Sequence, residues 1–169
     1  MKYFTAIKRE LRLPEVNILP IGTGYSTGTL VDYALSQCDA SDDLVECWVV
    51  FDRDEHVGYN EAIEKGRANN INVAFSNESF ELWYVLHFDY LQTALGRDKL
   101  NEKLTKLIGR RYEKNMDIYS IIKDREPEAI KNAKKLEKMH DANGINSFQN
   151  RAPSTTVFEL VERLRKIKK

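Results

Sequence analysis

The sequence predicts an α/β fold, a parallel sheet flanked by helices, with an all-helical C-terminal half. Two short apolar runs, Trp48-Val49-Val50-Phe51 and Ile71-Asn72-Val73-Ala74-Phe75, read as strands of a buried sheet. Segments with helical apolar spacing alternate with them, the pattern of βαβ units joined by right-handed crossovers. Beyond Leu95 the spacing is helical throughout.

Taken in order, residues 3–12 place Phe4, Ile7 and Leu11 on one helical face, and Pro14 ends that helix. Residues 15–21 read as a short strand, with Val16, Ile18, Leu19 and Ile21 as its apolar members. The loop from Gly22 to Gly28 is spaced Gly-x-Gly-x-x-x-Gly, which matches neither the dinucleotide fingerprint nor a P-loop and is read as a tight turn. Leu30, Val31, Ala34, Leu35 and Cys38 mark the next helix, with Ser26 or Thr27 as its cap.

A strand follows over residues 46–51, then a helix over 55–70. Ala62, Ile63 and Gly66 face inward on it, and Asn69-Asn70 closes it. After the strand at 71–76, residues 77–88 read as one buried helix capped by Ser76 or Asn77. Glu81 falls in its middle and needs a partner there. Asn77 and Glu81 would share its face one turn apart. His87 is read as a core histidine.

Further on, Leu100, Leu104, Leu107 and Ile108 form an apolar stripe beside a basic one of Lys99, Lys103, Lys106 and Arg110. Pro127 opens another helix, with Ile130, Ala133 and Leu136 inward and Lys131, Lys134, Lys135 and Lys138 outward. A final helix, capped by Ser154 or Thr155, buries Val157, Leu160, Val161, Leu164 and Ile167.

With 42% hydrophobic and 31% charged residues, the 169-residue chain has the composition of an ordinary globular protein that can bury a core. It shows no apolar run of bilayer length and no signal core, so a cytoplasmic location is expected. Cys38 and Cys47 lack metal spacing and are read as reduced, buried thiols. The zero net charge divides unevenly: residues 1–90 hold 7 Lys/Arg against 15 Asp/Glu, whereas 91–169 hold 19 against 11. That division suggests an α/β core over 1–90 carrying the acids, with a basic helical extension over 91–169 able to meet a polyanion.

The chemistry concentrates where the first apolar strand runs out, at Asp52-Arg53-Asp54-Glu55. Carboxylates resist burial, so an apolar strand ending in Asp-x-Asp puts them at the mouth of the sheet, where open α/β sheets bind ligands. Asp52 and Asp54 point the same way if the strand stays extended and can share one cation. Oxygen donors without clustered Cys or His suit Mg²⁺ or Mn²⁺. Such an ion clamps a phosphodiester and activates water. Arg53 would face the other side or the substrate, and Glu55 and Glu81 are candidates for a second metal or for proton transfer. The catalytic candidates are therefore Asp52, Asp54 and Glu81. Arg53, Asn77, Lys99, Lys103, Lys106, Arg110 and Lys134 are the candidate contacts to a nucleic-acid backbone.

Two motifs together, Val49-Val50-Phe51-Asp52-Arg53-Asp54 and Phe75-Ser76-Asn77-Glu78-Ser79-Phe80-Glu81-Leu82-Trp83, resemble the RloB-like family. The later Arg111-Tyr112-Glu113-Lys114 and Pro153-Ser154-Thr155-Thr156-Val157 segments fit as well. The resemblance implies a Toprim-like parallel sheet, Asp52 and Asp54 as its metal-binding aspartates, and Mg²⁺-assisted phosphodiester chemistry. It also implies a phage-defence, abortive-infection setting beside a partner ATPase. Members of that family start with another strand bearing a glutamate. Here Met1-Lys2-Tyr3-Phe4 begins at the following helix, and Glu10 and Glu15 stand in the wrong elements to replace that acid. The expectation is thus a Mg²⁺-dependent Toprim-type nuclease acting on DNA or RNA, impaired if that acid is lost, with an open or otherwise filled sheet edge. The alternative is a non-catalytic module that binds nucleic acid or the ATPase.

Overall fold

The computed structural model describes residues 2–19, 26–39, 46–53 and 58–167. Three strands, β1 (Trp48–Asp52), β2 (Asn72–Asn77) and β3 (Ser154–Thr155), form one sheet in the order β1-β2-β3. Eight α-helices surround it: α1 (Lys2–Leu11), α2 (Thr27–Asp39), α3 (Tyr59–Ala68), α4 (Glu81–Leu86), α5 (Arg97–Ile108), α6 (Tyr119–Ile122), α7 (Glu126–Ala142) and α8 (Val157–Ile167). β1 and β2 are parallel and joined through α3, as the alternation predicts, with Asp52 opposite Ser76.

β3 corrects two expectations. It runs antiparallel to β2, pairing Thr155 with Ser76 and Ser154 with Asn77, so the sheet is mixed and the C-terminal half is not all helix. Hydroxyls make this short strand possible. The Thr155 Oγ1 donates to the Phe75 carbonyl at 3.0 Å and sits 2.9 Å from the Ser76 Oγ. The Thr156 Oγ1 accepts the Phe75 N–H at 3.0 Å and donates to the Val73 carbonyl. Side chains thereby satisfy a stretch of the β2 edge that two residues of backbone cannot reach. The predicted capping survives only in part: the Val157 N–H donates to the Thr155 Oγ1 at 3.3 Å.

Alternation along the strands divides the core. Val49, Phe51, Val73 and Phe75 face α2 and α3, where Val31, Tyr59, Ala62 and Ile63 meet them. Trp48, Val50 and Ala74 face the larger cluster built by α1, α4, α5, α7 and α8. β1, among the described residues an edge strand, buries only alternate residues, whereas the central β2 is buried along most of its length. Gly66 lets α3 lie close on β2, since a Cβ there would stand 2.6 Å from the Val73 Cγ2. Asn70, at φ 59°, follows the Asn69 cap and ends α3 as predicted. On α2 it is Ser26 that caps, its Oγ accepting the Thr29 N–H at 3.2 Å.

Other expectations change. Residues 15–19 form turn and coil rather than a strand, and 20–21 lie outside the described residues. Leu13 and Val16 are drawn into turn bonds to Lys8 and Leu13 at the end of α1, and Val16 and Ile18 pack against the helical core instead of pairing. The glycines at 22 and 24 also fall outside the described residues. The helix expected over 77–88 is two things: Asn77 ends β2, and α4 starts only at Glu81. Neither Ser76 nor Asn77 caps it, and Glu81 opens the helix rather than occupying its middle. The cysteines are joined, Cys38 to Cys47, with Cα atoms 6.7 Å apart. This replaces the expected pair of thiols: the end of α2 packs beside the start of β1, a proximity that nine residues of sequence do not announce.

A second acidic group lies on α7 and α8. Burial foremost, then Glu159 and Asp141, push the Glu137 carboxyl up to about 7 against the opposing pull of Arg151 and Arg67. The native state therefore keeps a proton that the unfolded chain releases, and stability declines as pH rises from the ordinary 4.5 through about 7. Glu137→Gln is expected to remove that decline. After allowance for solvent screening it should gain about 1 kcal/mol at about pH 8 and little at about pH 4. Urea midpoints at both pH values check this; equal effects at both would refute it.

Candidate functional site

Asp52 is the last residue of β1, and its ladder position is held by the Arg53 N–H donating to the Ser76 carbonyl at 2.9 Å. Counting by twos from Trp48 and Val50 turns Asp52 toward the helical side of the sheet. The chain leaves β2 beside it and enters α4 at Glu81, which is 6% exposed. The buried partner that Glu81 requires is the Tyr112 hydroxyl, which donates to the Glu81 Oε1 at 3.1 Å. Tyr112 is itself fixed, its N–H donating to the Thr105 Oγ1 at 3.0 Å and its ring 6.3 Å from that of Tyr84. At the start of α5, the Arg97 guanidinium donates to the Asp52 Oδ2 at 3.3 Å.

Electrostatics ties these groups to one space. Burial first, then the charges of Tyr112, Tyr3, Glu81 and Asp52, drive the Tyr84 hydroxyl far above its ordinary range. Tyr112 is raised by burial, by Glu81 and by Asp52, with Arg97 opposing. Both phenols therefore stay protonated at any ordinary pH, and both feel the two carboxylates at once. A cluster of Asp52, Glu81, Arg97, Tyr84 and Tyr112 thus stands at the C-terminal end of the parallel strands.

The other predicted residues divide. Asp54, Glu55 and His56 lie outside the described residues. Asn77 does not join Glu81. It belongs to the opposite face with Val73 and Phe75, and its Nδ2 donates to the Phe148 and Gln149 carbonyls at 3.1 Å each, clamping the 3-10 turn Phe148–Asn150. Arg53 faces the α3 side, where its charge lowers the Tyr59 hydroxyl that burial and Asp52 raise. Lys103 is paired with Asp89 at 2.5 Å. Lys134 is paired with Glu162 at 2.6 Å and lies over the Phe158 ring, so it ties α7 to α8 rather than facing the site. Lys99, Lys106 and Arg110 remain exposed. His87 is a core residue, its Nδ1 2.8 Å from the Trp83 carbonyl and its pKa pushed down to about 4 by burial.

Tyr84, Arg97 and Tyr112 are what the sequence reading missed at this site. Arg97 precedes the basic stripe and carries no signal of its own. Tyr112 sits in the Arg111–Lys114 segment, whose approach to Glu81 depends on how α5 folds back on α4.

A family model described as RloB-like protein matches residues 1–164. The chain belongs to the RloB-like family. No curated protein and no solved structure matches this RloB-like chain. No helix among its described residues is long and apolar enough to cross a membrane.

The donors of the site decide whether a divalent cation could be held there. Among the described residues, no group of three or more His, Cys, Asp or Glu is arranged to hold a metal. Mg²⁺ asks for less: one or two carboxylates, with water and substrate phosphate completing its shell. Asp52 and Glu81 supply hard oxygens, with no Cys or His in the cluster to favour zinc, and fit that lower requirement. Tyr112→Phe is expected to destabilise the fold by about 1–3 kcal/mol, the cost of a buried carboxylate that loses a hydrogen-bond donor, whereas Glu81→Gln, whose amide oxygen can still accept from the phenol, should cost less. Urea midpoints check the pair; equal effects would remove the role given to the Tyr112 hydroxyl.

Proposed function

We propose that this RloB-like protein is a Mg²⁺- or Mn²⁺-dependent nuclease that hydrolyses phosphodiester bonds in DNA or RNA, serving phage defence beside an ATPase partner. The observation that carries the reading is the convergence of Asp52 and Glu81 on Tyr84 and Tyr112 at the strand ends, with Arg97 alongside. Asp52, on the rigid end of β1, would hold the cation, with Asp54 as the second aspartate that the family resemblance implies. Bound there, the cation would supply charge neutralisation and a water of lowered pKa. Glu81, oriented by Tyr112, would accept a proton from the attacking water. Arg97 offers planar, bidentate donors to a phosphate. The exposed Lys99 and Lys106 lie along α5 from that point, with the exposed Arg110 just past its end, and suit a polyanion that passes over the site.

The test is incubation of the full chain with single- and double-stranded DNA and RNA, with Mg²⁺ or Mn²⁺ and again with EDTA. Cleavage lost with EDTA and in Asp52→Ala, but retained in Lys131→Ala, which pairs with Glu128 on the exposed side of α7, supports the reading. Salt-sensitive binding without cleavage under every cation condition overturns it in favour of the binding module. Co-expression with the neighbouring ATPase under phage challenge addresses the defence role: protection lost in Asp52→Ala is expected.

A further inference from the structure

α2 is lightly embedded. Of its described side chains only Thr27 and Val31 are buried; Leu30, Ala34, Leu35 and Cys38 are half-buried, and the others are exposed. Both buried residues lie in its first half. It packs on α3 and β1, where Val31 meets the cluster of Val49, Phe51, Ala62 and Ile63. Asp32 pairs with Lys65 on α3, but both side chains are about half-exposed and such a pair adds little. An element held by so little apolar burial opens at far lower cost than the core unfolds. α4 is the contrast, with all six residues buried.

The second half of α2 has a different hold. Cys38 lies in its last turn, Cys47 immediately precedes β1, and the disulfide between them ties the loosely packed helix end to the strand. Both cysteines are half-buried, so a small thiol can reach the bridge. Exposed disulfides are the labile ones, whereas enclosed structural bridges resist reduction. These are the only two cysteines of the sequence, so no third thiol can rearrange the pairing.

We propose that the Cys38–Cys47 disulfide is a redox latch for α2: oxidised, it holds the helix on α3 and β1; reduced by a thiol, it lets the helix swing away and uncovers the apolar face beneath. In the reduction the S–S bond takes up two electrons and two protons to give the two cysteine thiols, while two thiol molecules give them up and join as a disulfide. Oxidised glutathione runs the same exchange backwards. The cross-link closes a short loop, with the cysteines nine residues apart, and restrains the open form by about 10- to 100-fold. The latch lies on the face of the sheet opposite Asp52 and Glu81, and it does not depend on the phosphodiester reading above.

The experiment holds the full chain in glutathione buffers, one oxidising and one reducing. It follows amide hydrogen exchange by mass spectrometry, while maleimide alkylation of quenched samples reports the bridged fraction. In the reduced protein the α2 amides are expected to exchange about 10- to 100-fold faster, with α4 and α7 keeping their protection, and reoxidation should restore α2. Cys38→Ser, which cannot form the bridge, should show the fast α2 exchange in both buffers. Equal α2 exchange in the two forms overturns the latch, as do cysteines that stay open to alkylation in the oxidising buffer. Faster exchange in α4 and α7 as well also overturns it, because the bridge would then support the whole fold rather than one helix.

Discussion

Asp52→Ala is expected to lower the proposed phosphodiester cleavage by about 1,000-fold or more, while the thermal midpoint stays within a few degrees of wild type. The two halves of this prediction have separate causes. Stability changes little because Asp52 ends a strand, is only partly buried, and makes a half-exposed pair with Arg97 worth about 0.2–1 kcal/mol. The β1–β2 ladder is backbone and does not involve the carboxylate. Activity collapses because this carboxylate is the proposed anchor of the cation, and a site acting mainly through electrostatic stabilisation loses about 100- to 1,000-fold per missing group even without a metal at stake. The checks are single-turnover cleavage and a thermal melt on the same preparation. An active Asp52→Ala protein would remove the basis for the proposed chemistry; an inactive but unfolded one would contradict the placement of Asp52 at the strand end.

Trp83→Ala is expected to cost about 3–5 kcal/mol, the usual penalty for removing a large aromatic from a core. Trp83 is fully buried on α4, its ring 4.9 Å from that of His87 and 6.4 Å from that of Tyr3. α4 is short, yet all six of its residues are buried, and it packs on α5, α7 and the sheet. The cavity left by alanine has no mobile side chain to collapse into it, since Tyr3, Leu82 and Leu86 are themselves fully buried. The same change loosens the element that presents Glu81, so activity should fall along with stability. Urea unfolding, with an unchanged slope and a lowered midpoint, checks it. A loss below about 1 kcal/mol would mean that α4 is not the hub described here.

The elements that were legible in the sequence share a feature: their period is set by one face meeting one neighbour. α1, α5, α7 and α8 each carry a single apolar stripe, and each lies where that stripe indicates. The apolar runs of β1 and β2 were equally plain. Residues 77–88 were misread as one helix because the apolar residues from Phe80 to Phe88 cover nearly every side and Ser76-Asn77 looks like a cap, so periodicity does not mark where β2 stops and α4 begins. β3 carried no strand signal, since two residues cannot show a period, and its threonines look like an ordinary helix cap. The strand expected over residues 15–21 failed, in its described part 15–19, for the converse reason. Val16 and Ile18 have strand-like alternation, but they pack against the helical core instead of pairing with the sheet.

By itself, the sequence determined the acidic strand end at Asp52, the need of Glu81 for a buried partner, the basic face of α5 and the kinship with the RloB-like family. The tertiary structure alone decided what surrounds them. It turned Asn77 to the far side of the sheet through strand alternation, took Lys134 into an ion pair between helices, and brought Arg97 and Tyr112 to the carboxylates. Spacing along a chain reports which residues share an element's face. Which faces meet is set by how α4 and α5 pack against the sheet, and that depends on the joint burial of side chains far apart in sequence.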